Sequence, residues 1–383
     1  MYTRNLLLPK HSFFLFGPRG TGKTTWLKSV LRQAKWFDLL RTTEFLRLSQ
    51  DPNRFVQEVE ALAPGSWVVV DEVQKLTALL NEIQAIITDH GARYRFALSG
   101  SSARKLKGLD SNLLAGRAIN RKFFPLTLAE LDYQVNVDRL LQYGCLPRVC
   151  AEPEIAVDIL EAYAENYLRE EIQQEALVKN LPSFARFLEI AAIMNGQVVN
   201  VAGLARDAAV QRPTVQRYFE TLIDTLIGFW LPAWKPRAKV KEVTHPKFYF
   251  FDTGVMRALA NRLRDPVERS ERGVLLETLV LHELRSWLNV SNCGGQLYYW
   301  RTPSQSEVDF IWVRGRRAVG IEVKSSSEWK REFGASLKQL EQDGIVQRSF
   351  GLYLGQHRLK DGSISVLPLF DFVRSLNRGI IIG

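Results

Sequence analysis

HSFFLFGPRGTGKTTWL, running from His11 to Leu27, is the stretch that decides the first fold. Ser12 to Phe16 reads as a short buried strand. It runs into Gly17-Pro18-Arg19-Gly20-Thr21-Gly22-Lys23-Thr24, a complete G-x-x-x-x-G-K-[ST] phosphate-binding loop, with a helix starting near Lys23. Glycines let the backbone turn tightly enough for several N–H groups to converge on one anion, and the helix adds its positive end there. Gly17 through Thr25 is therefore the expected nucleotide-binding segment, with Lys23 on the β and γ phosphates and Thr24 on Mg²⁺. A chance glycine-rich turn would not need a strand before it and a helix after it.

Working outward, Lys35 to Asp38 reads as a strand and Thr42 to Ala63 as one polar helical stretch. Trp67-Val-Val-Val70 is a β-branched run of the kind buried in a parallel sheet, and it ends in Asp71-Glu72. Asp71 is placed to position Mg²⁺ and Glu72 to polarise the attacking water; exposed acids at a strand end are the bland alternative. A helix from Leu76 to His90 leads to the strand Tyr94 to Leu98, followed by Ser99-Gly-Ser-Ser102, small polar residues that also form turns. Arg117, before a strand from Ala118 to Phe124, reads either as an arginine finger or as a surface ion-pair arginine. A finger acting in trans requires a homo-oligomer.

Pro153 to Val178 has helical spacing, and a further helix runs from Phe184 to Met194. Val201 to Ala208 and Pro213 to Leu226 then fit a helix-turn-helix, with Pro213 at a helix start. Two strands between Trp230 and Phe251 carry Lys235, Arg237, Lys239, Lys241 and Lys247 as a basic wing. In a DNA-reading module Gln211, Arg212, Thr214, Gln216 and Arg217 face the groove while the wing meets phosphate. Packing or protein contact is the equal alternative.

The last third holds a second acidic constellation. Gly273 to Leu288 reads as an amphipathic helix bearing Glu277 and Glu283. The strands Glu307 to Val313 and Ala318 to Lys324 pair as a hairpin, and alternation puts Glu322 and Lys324 on one side. Asp309, Glu322 and Lys324, with Glu277, have the make-up of a phosphodiesterase site. Its carboxylates, Asp309 and Glu322 foremost, would hold Mg²⁺, and its lysine would steady water or phosphate. A solvated surface hairpin is the alternative. A helix from Lys330 to Gln342 and a final strand from Phe350 to Leu354 would close this part.

Composition sets the outer limits. With 383 residues, 46% hydrophobic and 24% charged, the chain suits two or three folded domains rather than a disordered segment. A net charge of +10 makes an anionic partner such as nucleic acid reasonable without proving it. Three scattered cysteines, with no C-x-x-C pair, argue against a disulfide framework or zinc site. No secretory region and no bilayer-length apolar run are readable, so a cytoplasmic protein without a membrane partner is expected.

With these motifs in hand, the chain resembles AAA-superfamily ATPases of bacteria and archaea that end in a domain of unknown function similar to PD-(D/E)XK nucleases. The resemblance rests on GPRGTGKTT, VVVDEVQKL, LSGSSARKL, LAGRA followed by FPLTLAEL, YGCLPRV, FDTGVMRAL, and SEVDFIW with IEVKSS. It implies an α/β chain in three parts: a P-loop AAA-type ATPase domain with a parallel sheet over 1–135, a helical linker and winged helix over 136–250, and a restriction-endonuclease-like α/β domain over 251–383. It also implies ATP as the nucleotide, with Mg²⁺, and a γ-phosphate sensor at Ser99, with Ser101 and Ser102 next. Lys23, Thr24, Asp71 and Glu72 would carry nucleotide chemistry, and Glu277, Asp309, Glu322 and Lys324 match the nuclease signature. The expected function is a DNA-associated ATPase with a metal-dependent nuclease tail. The main alternative is a nucleotide-dependent signalling or assembly switch whose tail serves protein interaction. A small-molecule kinase fits less well, because Asp71-Glu72 suits water activation.

Overall fold

Apolar runs too short for helices form the strands of the first unit. The computed structural model describes residues 2–101, 114, 116–166, 180–236, 245–304 and 306–383. They fall into two compact units, one consisting almost entirely of Arg4–Pro125 and the other of Leu126–Ile223 with Gly228–Gly383.

In chain order the first unit contains β1 (Phe13–Phe16), α1 (Lys23–Val30), β2 (Lys35–Asp38), α2 (Thr42–Gln50), α3 (Asn53–Glu60), β3 (Trp67–Asp71), α4 (Leu79–His90), β4 (Arg95–Gly100) and β5 (Ile119–Lys122). The strands lie in the order β2-β3-β4-β1-β5, every pair parallel. β4 thus sits between β1 and β3, and the loops leaving all three strands open on one edge of the sheet. Phe37, Phe55, Val68, Val70, Ile83, Phe96 and Leu98 fill one face of the sheet. Phe13, Leu15, Trp26, Leu27, Val69 and Ala97 fill the other. Burial on both faces explains why Trp67–Val70 reads as an unbroken apolar run.

The single helix expected over Thr42 to Ala63 is two helices. Asp51, preceding Pro52, leaves the helical region at φ −143°, as the proline ring dictates for the residue before it. The strand expected to end at Leu98 continues through Gly100, so Ser99 belongs to β4.

The second unit contains α5 (Val137–Tyr143), α6 (Pro147–Ala151), α7 (Ala156–Asn166), α8 (Leu181–Ile193), α9 (Val201–Asp207), α10 (Arg212–Asp224), β6 (Gly228–Leu231), β7 (Lys247–Phe250), α11 (Thr253–Leu259) and α12 (Arg269–Ser291). β8 (Gln296–Arg301), β9 (Glu307–Arg314), β10 (Arg317–Lys324), α13 (Ala335–Gln342), β11 (Arg348–Tyr353), β12 (Leu359–Asp361), β13 (Ile364–Pro368) and α14 (Leu369–Asn377) follow. Asn200 caps α9 by accepting the Ala202 and Gly203 N–H groups, each at 3.1 Å. Phe184, Phe187, Tyr218, Phe219, Trp230 and Phe248 pack edge to face or tilted between α8, α10 and the β6–β7 pair.

β8 to β13 form one mixed sheet in the order β12-β13-β11-β10-β9-β8. Phe350 to Leu354 is therefore not the final strand; β12, β13 and α14 come after it. Nor is α12 amphipathic. Leu275, Leu276, Leu279, Val280, Leu281 and Leu284 are buried around its circumference, together with Thr278, His282 and Glu283. Two of those polar groups hold the segment that opens this unit: His282 Nε2 lies 3.0 Å from the Leu126 carbonyl, and Glu283 Oε1 accepts the Leu128 N–H at 2.7 Å. Glu283, read from the sequence alongside Glu277, is thus a structural acceptor.

Candidate active site

Gly20 and Gly22 take positive φ, 74° and 90°, so the phosphate loop turns inward just before α1. Gly17 is required for a different reason: a Cβ there would stand 2.2 Å from the Phe123 carbonyl oxygen. Within the loop, Thr21 Oγ1 donates to the Pro18 carbonyl at 2.8 Å. The buried Lys23 Nζ donates to the carbonyls of Gly17 and Pro18 at 2.6 and 3.0 Å. Arg4 braces the loop from outside through the Thr21 carbonyl at 2.8 Å and the Phe124 carbonyl at 2.6 Å. Arg19 is half-buried and Thr25 exposed at the loop's rim.

Because β1, β4 and β3 are adjacent, their ends deliver a connected polar cluster. Thr24 Oγ1 donates to Asp71 Oδ2 at 2.8 Å. Ser99 Oγ donates to Asp71 Oδ1 and also accepts the Glu72 N–H at 3.3 Å. Ser101 Oγ donates to Glu72 Oε2 at 2.9 Å, and Gln74 Nε2 donates to the same oxygen. Glu72 adopts left-handed backbone geometry, φ 59° and ψ 47°, which is uncommon outside glycine and clusters at functional sites. Asp71, Glu72, Gln74, Ser99 and Ser101 are all buried.

The structure thus brings together Lys23, Thr24, Asp71, Glu72, Ser99 and Ser101. Arg117 stands exposed in the turn before β5, and no hydrogen bond or ion pair joins its guanidinium to the cluster among the described residues. Ser102 lies outside the described residues. Gln74 is the member that sequence reasoning left without a role. Its signal was its place two residues beyond Glu72, where a polar side chain follows a buried strand.

The chemistry of the donors fits the expected ligands. The loop glycines leave backbone N–H groups for phosphate, and a hydroxyl beside a carboxylate, Thr24 with Asp71, is a hard-oxygen pair of the kind Mg²⁺ takes.

The second constellation is built where α12 crosses β9 and β10. The β9–β10 register pairs Phe310 with Ile321, and the next residue outward, Asp309, takes up the Val323 N–H through Oδ2 at 2.7 Å. Lys324 Nζ donates to Glu322 Oε1. Glu277 Oε2 accepts the Tyr249 hydroxyl at 3.0 Å, and Lys247 Nζ pairs with Glu307. Burial, then the neighbouring Asp309, pushes Glu277 up to about 7. Burial works against the Lys324 ammonium, but the facing Asp309 and Glu322 outweigh it and hold the proton. Among the described residues no group of three or more His, Cys, Asp or Glu side chains is arranged to hold a metal ion.

Lys247, expected on a basic wing, is instead buried against Glu307, because β7 lies beneath this acidic group. Lys235 is exposed, and Arg237, Lys239 and Lys241 lie outside the described residues. Among the described residues no helix is long and apolar enough to cross a membrane.

Comparison with known proteins follows this division. Residues 9–132 match the AAA domain family. Residues 134–265 and 272–372 match two domains of unknown function, DUF8612 and DUF4143. An uncharacterized protein of Mycobacterium tuberculosis is 28% identical over 360 residues, covering 92% of this chain and 79% of that protein. An uncharacterized protein of Haemophilus influenzae is 24% identical over 252 residues, covering 60% of this chain and 62% of that one. Among solved structures, the ORC2 protein of Aeropyrum pernix aligns with a TM-score of 0.39 and 14% identity, over 67% of this chain and 88% of that one. Residues 9–132 thus combine a phosphate-binding loop and a parallel sheet with similarity to the AAA domain family.

Proposed function

We propose that this protein is a Mg²⁺-dependent ATPase that couples hydrolysis to DNA. The observation that carries the reading is Asp71, bonded on one oxygen to Thr24 and on the other to Ser99, with Glu72 next in sequence. Mg²⁺, when bound at Thr24 and Asp71, would draw charge from the β and γ phosphates. Lys23 releases the loop carbonyls to reach those phosphates. Glu72 takes the proton of a water whose oxygen bonds to the γ-phosphorus. The bond from that phosphorus to the bridging oxygen breaks, and its electron pair leaves on ADP. Ser99 fixes Asp71 and senses the γ-phosphate. Arg117, exposed and outside this cluster, is the residue that a second protomer of a homo-oligomer would contribute in trans.

DNA association is supported by α9 and α10 as a helix-turn-helix followed by the β6–β7 pair, the arrangement of a winged helix. Gln211, Arg212, Gln216 and Arg217 are exposed along α10 and its approach, as groove-reading side chains must be. The net charge of +10 has the matching sign. Free Cys145, Cys150 and Cys293 suit a reducing cytoplasm.

For the tail, Glu277, Asp309, Glu322 and Lys324 match in type and order the signature of a restriction-endonuclease-like nuclease, and Mg²⁺-dependent DNA cleavage is the corresponding activity. One observation favours the second reading, a signalling or assembly switch with an inactive tail that binds protein. Asp309 and Glu322 each already spend an oxygen on an internal donor, Val323 N–H and Lys324.

The deciding experiment measures phosphate release with Mg²⁺ and ATP, with and without DNA, for wild type, Glu72→Gln and Lys324→Ala, with the DNA run on a gel. DNA-stimulated hydrolysis lost in Glu72→Gln supports the coupled ATPase, and cutting lost in Lys324→Ala supports an active tail. Hydrolysis indifferent to DNA, with no affinity for it at low salt, overturns the coupling and leaves the switch.

A further inference from the structure

Gln74 sits in the single 3₁₀ turn Val73–Lys75 and is 4% exposed. A buried primary amide is costly unless its polar ends are bonded. Its Nε2 meets this demand twice, donating to Glu72 Oε2 and to Ser101 Oγ at 3.2 Å. Among the described residues its Oε1 has no hydrogen-bond partner. Turning the amide over would set Oε1 against the Glu72 carboxylate, so chemistry fixes the orientation.

The space around the amide is also committed to it. A Cβ on Gly100 would come within 2.7 Å of Gln74 Oε1, so the end of β4 keeps a glycine where the amide lies. Glu72, meanwhile, receives both side-chain donors on Oε2. Its backbone, in the left-handed region, is held by Ser99 through the N–H. A carboxylate gripped on one oxygen by two neutral donors loses its rotation, so the other oxygen has a fixed direction.

We infer that Gln74 is a positioning residue for water activation: with Ser101 it grips Glu72 Oε2, so that Oε1 faces and deprotonates the water attacking the γ-phosphate. This rests on the reading of Glu72 as the base. The contribution is orientational. Removing the grip lets the carboxylate rotate away from the attack line, which lowers turnover and leaves nucleotide binding intact.

The test uses Gln74→Met, which keeps the volume and removes the donor, and Gln74→Ala beside it, with Glu72→Gln as reference. Steady-state phosphate release and the affinity for a fluorescent ATP analogue are measured separately. Amide hydrogen exchange across residues 71–75 is followed in the nucleotide-free protein. The expected result is a kcat lower by about ten- to hundredfold, with KM and analogue affinity within about twofold of wild type, and faster exchange at Glu72 and its neighbours. Gln74→Met turning over at the wild-type rate while Glu72→Gln is inactive overturns the inference and spares the role of Glu72. Glu72→Gln at the wild-type rate overturns that role itself. Equal losses of kcat and nucleotide affinity in both Gln74 variants, with lowered melting temperatures, make Gln74 a structural residue and also overturn the inference.

Discussion

Thr24 Oγ1 donates to Asp71 Oδ2 at 2.8 Å, tying the first turn of α1 to the end of β3 across the intervening strand β4. The bond holds together the two oxygens read above as the Mg²⁺ pair. Thr24→Ala and Asp71→Asn are therefore expected to weaken ATP binding in Mg²⁺ far more than in EDTA. Hydrolysis should fall by about a hundredfold. Titrating a fluorescent ATP analogue with and without the metal checks the split, and equal weakening in both conditions would contradict it.

Gly17 faces the Phe123 carbonyl so closely that an added Cβ would lie 2.2 Å away. Gly17→Ala must move either the loop or the segment before Phe124. It should cost on the order of 1–3 kcal/mol in urea unfolding of the N-terminal unit and abolish nucleotide binding, whereas alanine at the exposed Thr25 should leave stability unchanged.

Glu283 has an ionisation that folding disfavours. Burial raises it to about 8, against the pull of the Leu128 N–H. The folded form therefore binds its proton more tightly than the unfolded chain does. Below the ordinary carboxylate range both states are protonated and nothing is lost. From there up to about pH 8, stability declines as pH rises, by at most about 1.4 kcal/mol per pH unit crossed. Glu283→Gln keeps an acceptor for Leu128 and carries no charge, so its urea midpoint should stay flatter from pH 5 to 8 and exceed wild type at the alkaline end. An unchanged slope would refute the assignment.

Arg257 is fully buried, paired with Glu271 and bonded to the Asp265 carbonyl at 2.6 Å. Glu271→Ala strands that guanidinium without its carboxylate and should cost about 3–5 kcal/mol in chemical denaturation. Replacing the outer partner, Arg262→Ala, should cost well under half as much, since Arg262 is only half-buried, with 39% of its side-chain surface open to water.

Much of the N-terminal domain was legible because its signals are local. The phosphate loop, the apolar run ending at Asp71 and the serines after Leu98 each announce themselves within a few residues. What the sequence concealed depended on contacts between distant segments. Lys247 reads as a wing cation until Glu307 is found against it, and Glu283 reads as one more carboxylate on its helix until it meets the Leu128 N–H. The helical period over Gly273 to Leu288 was correct, but periodicity cannot report that neighbours cover every side of α12. Gln74 escaped notice for a related reason: a glutamine in a turn has no motif, and only the carboxylate beside it gives it meaning.

The grip of Glu283 on Leu128 joins residues 155 positions apart in the chain. During synthesis, the five parallel strands of the N-terminal unit have all been made once Lys122 is added, so that sheet can form early. The segment that follows is held locally, Leu126 N–H donating to the Cys145 carbonyl at 2.8 Å, but its contacts with His282 and Glu283 close only when α12 has been made. Late-closing contacts of this kind slow folding and prolong aggregation-prone states. The second half of the molecule is therefore where a growing chain would most need a chaperone.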